Sequence, residues 1–115
     1  MGKNQQGVNL GKQAEDAVET AMRELCSEDQ RFCGYLRANC GDRLDGEGID
    51  FLIFFRSGGA LPVQVRSTRR KIGRFQKIHP NIRFILFIMK RYLLNPSSDG
   101  YRRTLDYVKR KTVQF

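Results

Sequence analysis

The sequence predicts an α/β fold: a small four-stranded mixed sheet flanked by helices. Three observations predict it. Near the N-terminus, Leu10, Ala14, Ala17, Val18, Ala21, Met22 and Leu25 recur at three- and four-residue spacing, which is the period of a helix. Two short apolar runs, 48–55 and 61–68, are joined by Arg56-Ser57-Gly58-Gly59, which reads as a tight hairpin turn. A further apolar run at 82–89 is followed by turn residues and a second amphipathic segment.

The elements follow in order. Residues 1–8 are polar and expected to be disordered. A helix covers 10–25, with Asn9 as its N-cap and Ser27-Glu28-Asp29-Gln30 as its end. A first strand covers 32–38, and the glycine- and acid-rich stretch 41–48 is a loop. The hairpin supplies strands two and three. Residues 69–79 are basic and form a loop or a short helix. The fourth strand, 82–89, is apolar at successive positions, so it is expected to be central and covered on both faces. Asn95-Pro96-Ser97-Ser98-Asp99 turns the chain into a last helix at about 101–111, with Tyr101, Leu105 and Val108 on its buried side. No repeat or linker divides the 115 residues, which suit one domain with one core.

No apolar run reaches the roughly 18 residues that cross a bilayer, and no apolar segment follows the polar N-terminus as in a secretory signal. The chain therefore reads as soluble and cytoplasmic (intracellular), with no membrane partner. Its net charge is +9, unevenly placed. Residues 1–50 hold 10 acidic and 6 basic groups, whereas residues 51–115 hold 2 acidic and 15 basic ones. Such asymmetry argues for a polyanionic partner, nucleic acid first. Cys26, Cys33 and Cys40 are seven apart without a CxxC pair, so free thiols are expected rather than a zinc site or disulfides.

Polar groups inside the hairpin carry the chemistry. Adjacent antiparallel strands bring Asp50 near Gln64 and Arg66. Gln64 and Arg66 share one strand face, with Val63 and Val65 on the other. A carboxylate, an amide oxygen and a fixed cation at a sheet edge suit a phosphodiester held beside a divalent metal, since hard cations take oxygen ligands. A buried unpartnered carboxylate is costly. A divalent cation would relieve Asp50, and so would a purely structural ion pair with Arg66. Asp45 is a second acid that either adds a ligand or solvates the turn. Residues 66–79 carry six cations and no acid. Among them Arg69, Arg70, Lys71, Arg74 and Lys77 are candidate contacts to a nucleic-acid backbone. Arg102, Arg103, Lys109, Arg110 and Lys111 on the last helix extend that surface. The single His79 precedes Pro80 and reads as a turn residue or a phosphate contact.

The hairpin resembles the PD-(D/E)xK nuclease superfamily, which includes restriction endonuclease-like enzymes and Holliday junction resolvases. That family places an Asp at the start of one hairpin strand and an acidic-x-Lys triplet on the next. Here the triplet reads Gln64-Val65-Arg66. Gly11-Lys12-Gln13-Ala14-Glu15 resembles the family's opening helix, whose Glu reaches toward the metal. The resemblance spans roughly residues 10–110 and implies a restriction endonuclease-like core of order αβββαβα. It implies an endonuclease dependent on Mg²⁺ (or Mn²⁺), acting on duplex or branched DNA, as a structure-specific or junction-resolving enzyme and as a homodimer. Glu15, Asp50, Gln64 and the Val65 backbone carbonyl would hold the metal, and Glu15, Asp50, Gln64 and Arg66 would form the catalytic set. Arg66 stays protonated and cannot serve as a base, but it can steady charge on a phosphate. The alternative is the same fold with a degenerate site, a nucleic-acid-binding module or regulatory subunit. RNA is an open partner for it.

Overall fold

Small apolar side chains set how closely the first helix lies on the sheet. The computed structural model describes residues 2–39 and 41–115, with side chains from residue 12 onward. Cys40 lies outside the described residues. Helix α1 (Gly2–Glu28) buries Ala14, Ala17, Val18, Ala21, Met22 and Leu25 completely or nearly so. It begins at Gly2 rather than at the expected Leu10, so Asn9 falls inside the helix instead of capping it.

Strand β1 (Phe32–Arg37) leads to a one-turn helix, α2 (Arg43–Gly46), within the expected loop. Asp42 caps α2 by accepting the Asp45 N–H at 2.9 Å. The hairpin is formed by β2 (Phe51–Phe55) and β3 (Ala60–Arg66). Its turn uses Gly58 and Gly59 at φ 111° and 85°, angles that favour glycine. The basic segment forms α3 (Ile72–Ile78), and β4 (Phe84–Phe87) follows. An unexpected 3-10 turn, Lys90–Leu93, buries Leu93 before α4 (Asp99–Gln114). Ser98 caps α4 through the Tyr101 N–H.

The sheet order is β1-β2-β3-β4. The first three strands are antiparallel, and β4 runs parallel to β3. This is the expected α/β class with a four-stranded mixed sheet flanked by helices. The expected central place of the fourth strand is not found: β4 is the edge. The connection through α3 returns the chain beside β3, and among the described residues no further strand pairs outside it. Its apolar run has another cause. Phe84 and Leu86 enter the core, whereas Ile85 and Phe87 lie half-buried on the other face. The Arg69 guanidinium covers Phe87, 4.3 Å from the ring centroid.

One core joins α1, α4 and alternate residues of the sheet, among them Phe51, Ile53, Val63 and Leu86. Arg102 and Lys109 of α4 reach Glu24 of α1 at 3.0 and 2.9 Å, and Lys109 also reaches Glu28. These pairs fasten the two helices together on that face. The opposite face keeps Leu52, Pro62, Gln64 and Ile85 half-buried. No described helix is long and apolar enough to cross a membrane.

Candidate nucleic-acid and metal site

Strand register decides which polar groups meet. Phe51 pairs with Val63, so Asp50 stands opposite Gln64. The Asp50 N–H donates to the Val63 carbonyl at 2.9 Å. Beyond that bond the Asp50 side chain, not its backbone, continues the pairing: Oδ2 accepts the Val65 N–H at 2.7 Å. The Gln64 amide end lies against the same oxygen and the Gly48 carbonyl. With its nitrogen on that side, Gln64 donates to both, the bond to Asp50 Oδ2 being 3.3 Å. With its oxygen there, acceptors would face acceptors, an arrangement that only a cation between them would stabilise.

Gly48 has φ +81°, and a Cβ there would meet the His79 ring at 3.0 Å. His79 ends α3 and packs at a tilt against Phe75, with centroids 4.8 Å apart. It is thus a packing residue at a turn. Asp45 has a local task as well, its Oδ2 accepting the Gly41 N–H at 3.0 Å.

The Asp50 carboxyl is pushed up to about 6. Burial is the chief cause. The Val65 N–H works against it, the carboxylates of Glu15 and Asp45 add to it, and Arg37 opposes it. Glu15 and Asp45 therefore stand near enough to Asp50 to act on it, although they lie on separate elements.

Arg37 is the neighbour of this site that the sequence reading missed. From β1 it reaches Asp16 at 2.6 Å, Glu19 at 2.9 Å and Glu15 at 3.4 Å. Glu15 is thus engaged by a cation rather than free to turn toward Asp50. The available signal was a strand arginine following a helix with Glu15, Asp16 and Glu19 on consecutive turns.

Arg66 does not pair with Asp50, contrary to the structural alternative drawn from the sequence. Its side chain runs toward the turn after β3, where Nη2 donates to the Arg70 carbonyl at 2.9 Å. The guanidinium carbon is 5.3 Å from the Phe75 centroid, and Nε is buried without a hydrogen-bond partner among the described residues. Among the described residues, no three His, Cys, Asp or Glu side chains converge closely enough to share a metal ion.

Arg69, Arg70, Lys71, Arg74 and Lys77 are all exposed. The described ion pairs use other cations. Arg102 and Lys109 are taken up by α1, so they do not extend this basic surface as expected. Arg110 borders a hollow shared with Glu28 and Asp29. Arg103 and Lys111 line cavities near β4 instead. Cys26 and Cys33 are free thiols, and burial pushes the Cys26 thiol up. Comparison with protein-family models, curated proteins and solved structures gives no match for this chain.

Proposed function

We propose that this chain is a nuclease-type DNA-binding domain whose hairpin site hydrolyses phosphodiester bonds with Mg²⁺ or Mn²⁺. The observation that carries this reading is Asp50, a half-buried carboxylate opposite Gln64 and pushed up to about 6. Charge at such a group is unfavourable until a cation neutralises it. The order of elements, with Asp50 and the Gln64-Val65-Arg66 triplet on adjacent strands, supports the resemblance to the PD-(D/E)xK superfamily.

The donor chemistry fits a hard cation, held first by Asp50 and Gln64. Turning the Gln64 amide would present its oxygen, and the Val65 carbonyl and Glu15 are the further donors the resemblance implies. When bound, the cation supplies charge neutralisation and an acidified water. The chain's own residues bind and orient the substrate. Arg66, whose Nη2 is held by the Arg70 carbonyl, can steady a phosphate by its fixed charge. Arg69, Arg70, Lys71, Arg74 and Lys77 hold neighbouring phosphates, which positions duplex or branched DNA without reading its sequence. Two copies working as a homodimer would cut both strands, and sedimentation at working concentration tests that.

Incubation with Mg²⁺ or Mn²⁺ and linear, nicked and four-way DNA tests the hydrolytic reading. Cleavage is expected in the wild type and is lost in Asp50→Asn, which still binds DNA. An inactive wild type with no calorimetric Mn²⁺ binding would sink it. The second reading, a degenerate binding module for DNA or RNA, is favoured by Arg37 engaging Glu15 and by the Gln64 nitrogen facing Asp50. It predicts DNA or RNA binding unaffected by either metal or by Asp50→Asn.

A further inference from the structure

The outer edge of β4 faces a basic channel with aromatic walls. In the parallel ladder, alternate N–H groups point away from β3. The Ile88 N–H donates inward to the Arg66 carbonyl at 2.7 Å, so the Phe87 N–H points out, and the Tyr107 hydroxyl accepts it at 3.3 Å. Two cavities flank this bond, of about 480 and 330 Å³. They share Arg69, Phe87 and Tyr107, so they form one groove. The larger part adds Met89, Tyr92 and Arg103, and the smaller adds Arg83 and Lys111. Four cations thus line the groove and no Asp or Glu side chain does.

We infer that this groove binds a single-stranded nucleic-acid segment, with phosphates on Arg69, Arg83, Arg103 and Lys111 and bases against Tyr92 and Tyr107. The inference rests on the nucleic-acid reading above but not on hydrolysis at Asp50. Charge complementarity selects a polyanion. Aromatic walls beside a cationic track select unpaired bases, because bases stacked in a duplex cannot reach them. The larger cavity is of the size that holds one small planar group. Addition of a peptide strand is disfavoured, since the outward Phe87 N–H is already bonded to Tyr107.

The test is binding of a labelled oligothymidylate in EDTA, which removes any metal contribution from the Asp50 site. The chain has four tyrosines and no tryptophan, so quenching of tyrosine emission reports stacking on Tyr92 and Tyr107. The double change Arg103→Glu and Lys111→Glu is expected to weaken binding at least about tenfold. It should flatten the log–log salt dependence by about 1.4, two phosphate contacts at about 0.7 each on a single strand. The milder Arg103→Gln and Lys111→Gln pair should lose less affinity while flattening the slope by the same two contacts, which guards against misfolding of the reversal variant. Arg43→Gln, exposed and outside both sites, should bind the oligonucleotide as the wild type does, even if the hydrolytic reading fails. Unchanged affinity in both double variants overturns the groove, and so does unquenched tyrosine emission. Equal displacement by polyglutamate would reduce the groove to a general anion surface and overturn the stacking contacts. Thymidine monophosphate binding as tightly as the strand would assign the cavity to free nucleotides and overturn the strand.

Discussion

Asp50 carries its charge at a cost. Its ordinary value is 3.8 and its folded value about 6. Between them the folded chain keeps a proton that the unfolded chain has released. The contribution to stability therefore falls as pH rises through this window and is level above it. The gap corresponds to about 3 kcal/mol at most. Asp50→Asn removes the charge, and its amide oxygen can still accept the Val65 N–H. Urea unfolding should find this variant more stable than wild type at pH 7.5 and equal to it below pH 4. A variant less stable at pH 7.5 would mean that the Val65 bond outweighs the charge penalty. Mg²⁺ should raise the wild-type melting temperature above pH 6 and leave that of the variant unchanged. Gly48 is constrained differently, by φ +81° and by the His79 ring. Gly48→Ala should cost about 1–2 kcal/mol from backbone alone and more from the ring. In a His79→Ala background the steric part should vanish, which a double-mutant cycle measures.

At the scale of elements, the hairpin was the most legible part of the sequence. Its two glycines fixed the turn, and alternation fixed which side chains share a face. Asp50 near Gln64 and Arg66 followed from those two facts, and the register then set Gln64 opposite it. The helix of 10–25 was legible from its period, but its start was not, because the polar residues before Leu10 give no apolar stripe to read. Edge position was also illegible for β4. Burial of one face by the core and covering of the other by Arg69 produce the same apolar run as a central strand. Side-chain reach was the third gap. Alternation put Arg66 on the face of Asp50, yet a long flexible stem turned it to the Arg70 carbonyl, while Arg37 approached from β1. The Gln64 contact yields a prediction about this pair of strands. Gln64→Glu places a second carboxylate against Asp50 and the Gly48 carbonyl. Without metal it should lower stability at pH 7.5, and Mg²⁺ should restore more than it restores in wild type. Combined with Arg66→Lys, whose compact ammonium leaves room for a water, it should raise cleavage about tenfold, equivalent to about 1.4 kcal/mol. Cleavage and binding measured on the same four proteins separate this from an Arg66 phosphate clamp, for which Arg66→Lys weakens binding and no variant cuts.

Across the whole molecule, charge is sorted by face rather than merely by sum. The cations near α1 are answered by carboxylates: Arg37 by Glu15, Asp16 and Glu19, and Arg102 and Lys109 by Glu24. Those answered charges hold α1 against β1 and α4. The chain from Phe51 to Ser98 has no acid of its own, and its exposed cations after β3 take no part in the described ion pairs. A polyanion should therefore meet one face, and its affinity should depend on which cations are removed, not on how many. Neutralising Arg69, Arg70 and Lys71 to Gln should weaken duplex binding and flatten the log–log salt dependence by about 2.7, three contacts at about 0.9 each on B-form DNA. Neutralising Lys12, Arg23 and Arg43 to Gln removes the same charge from the acid-rich half, where Arg23 and Arg43 already face Glu19 and Glu47. That control should leave the slope near wild type. Equal flattening in the two triple variants would mean that net charge alone attracts the duplex, and the assignment of a binding face would fail.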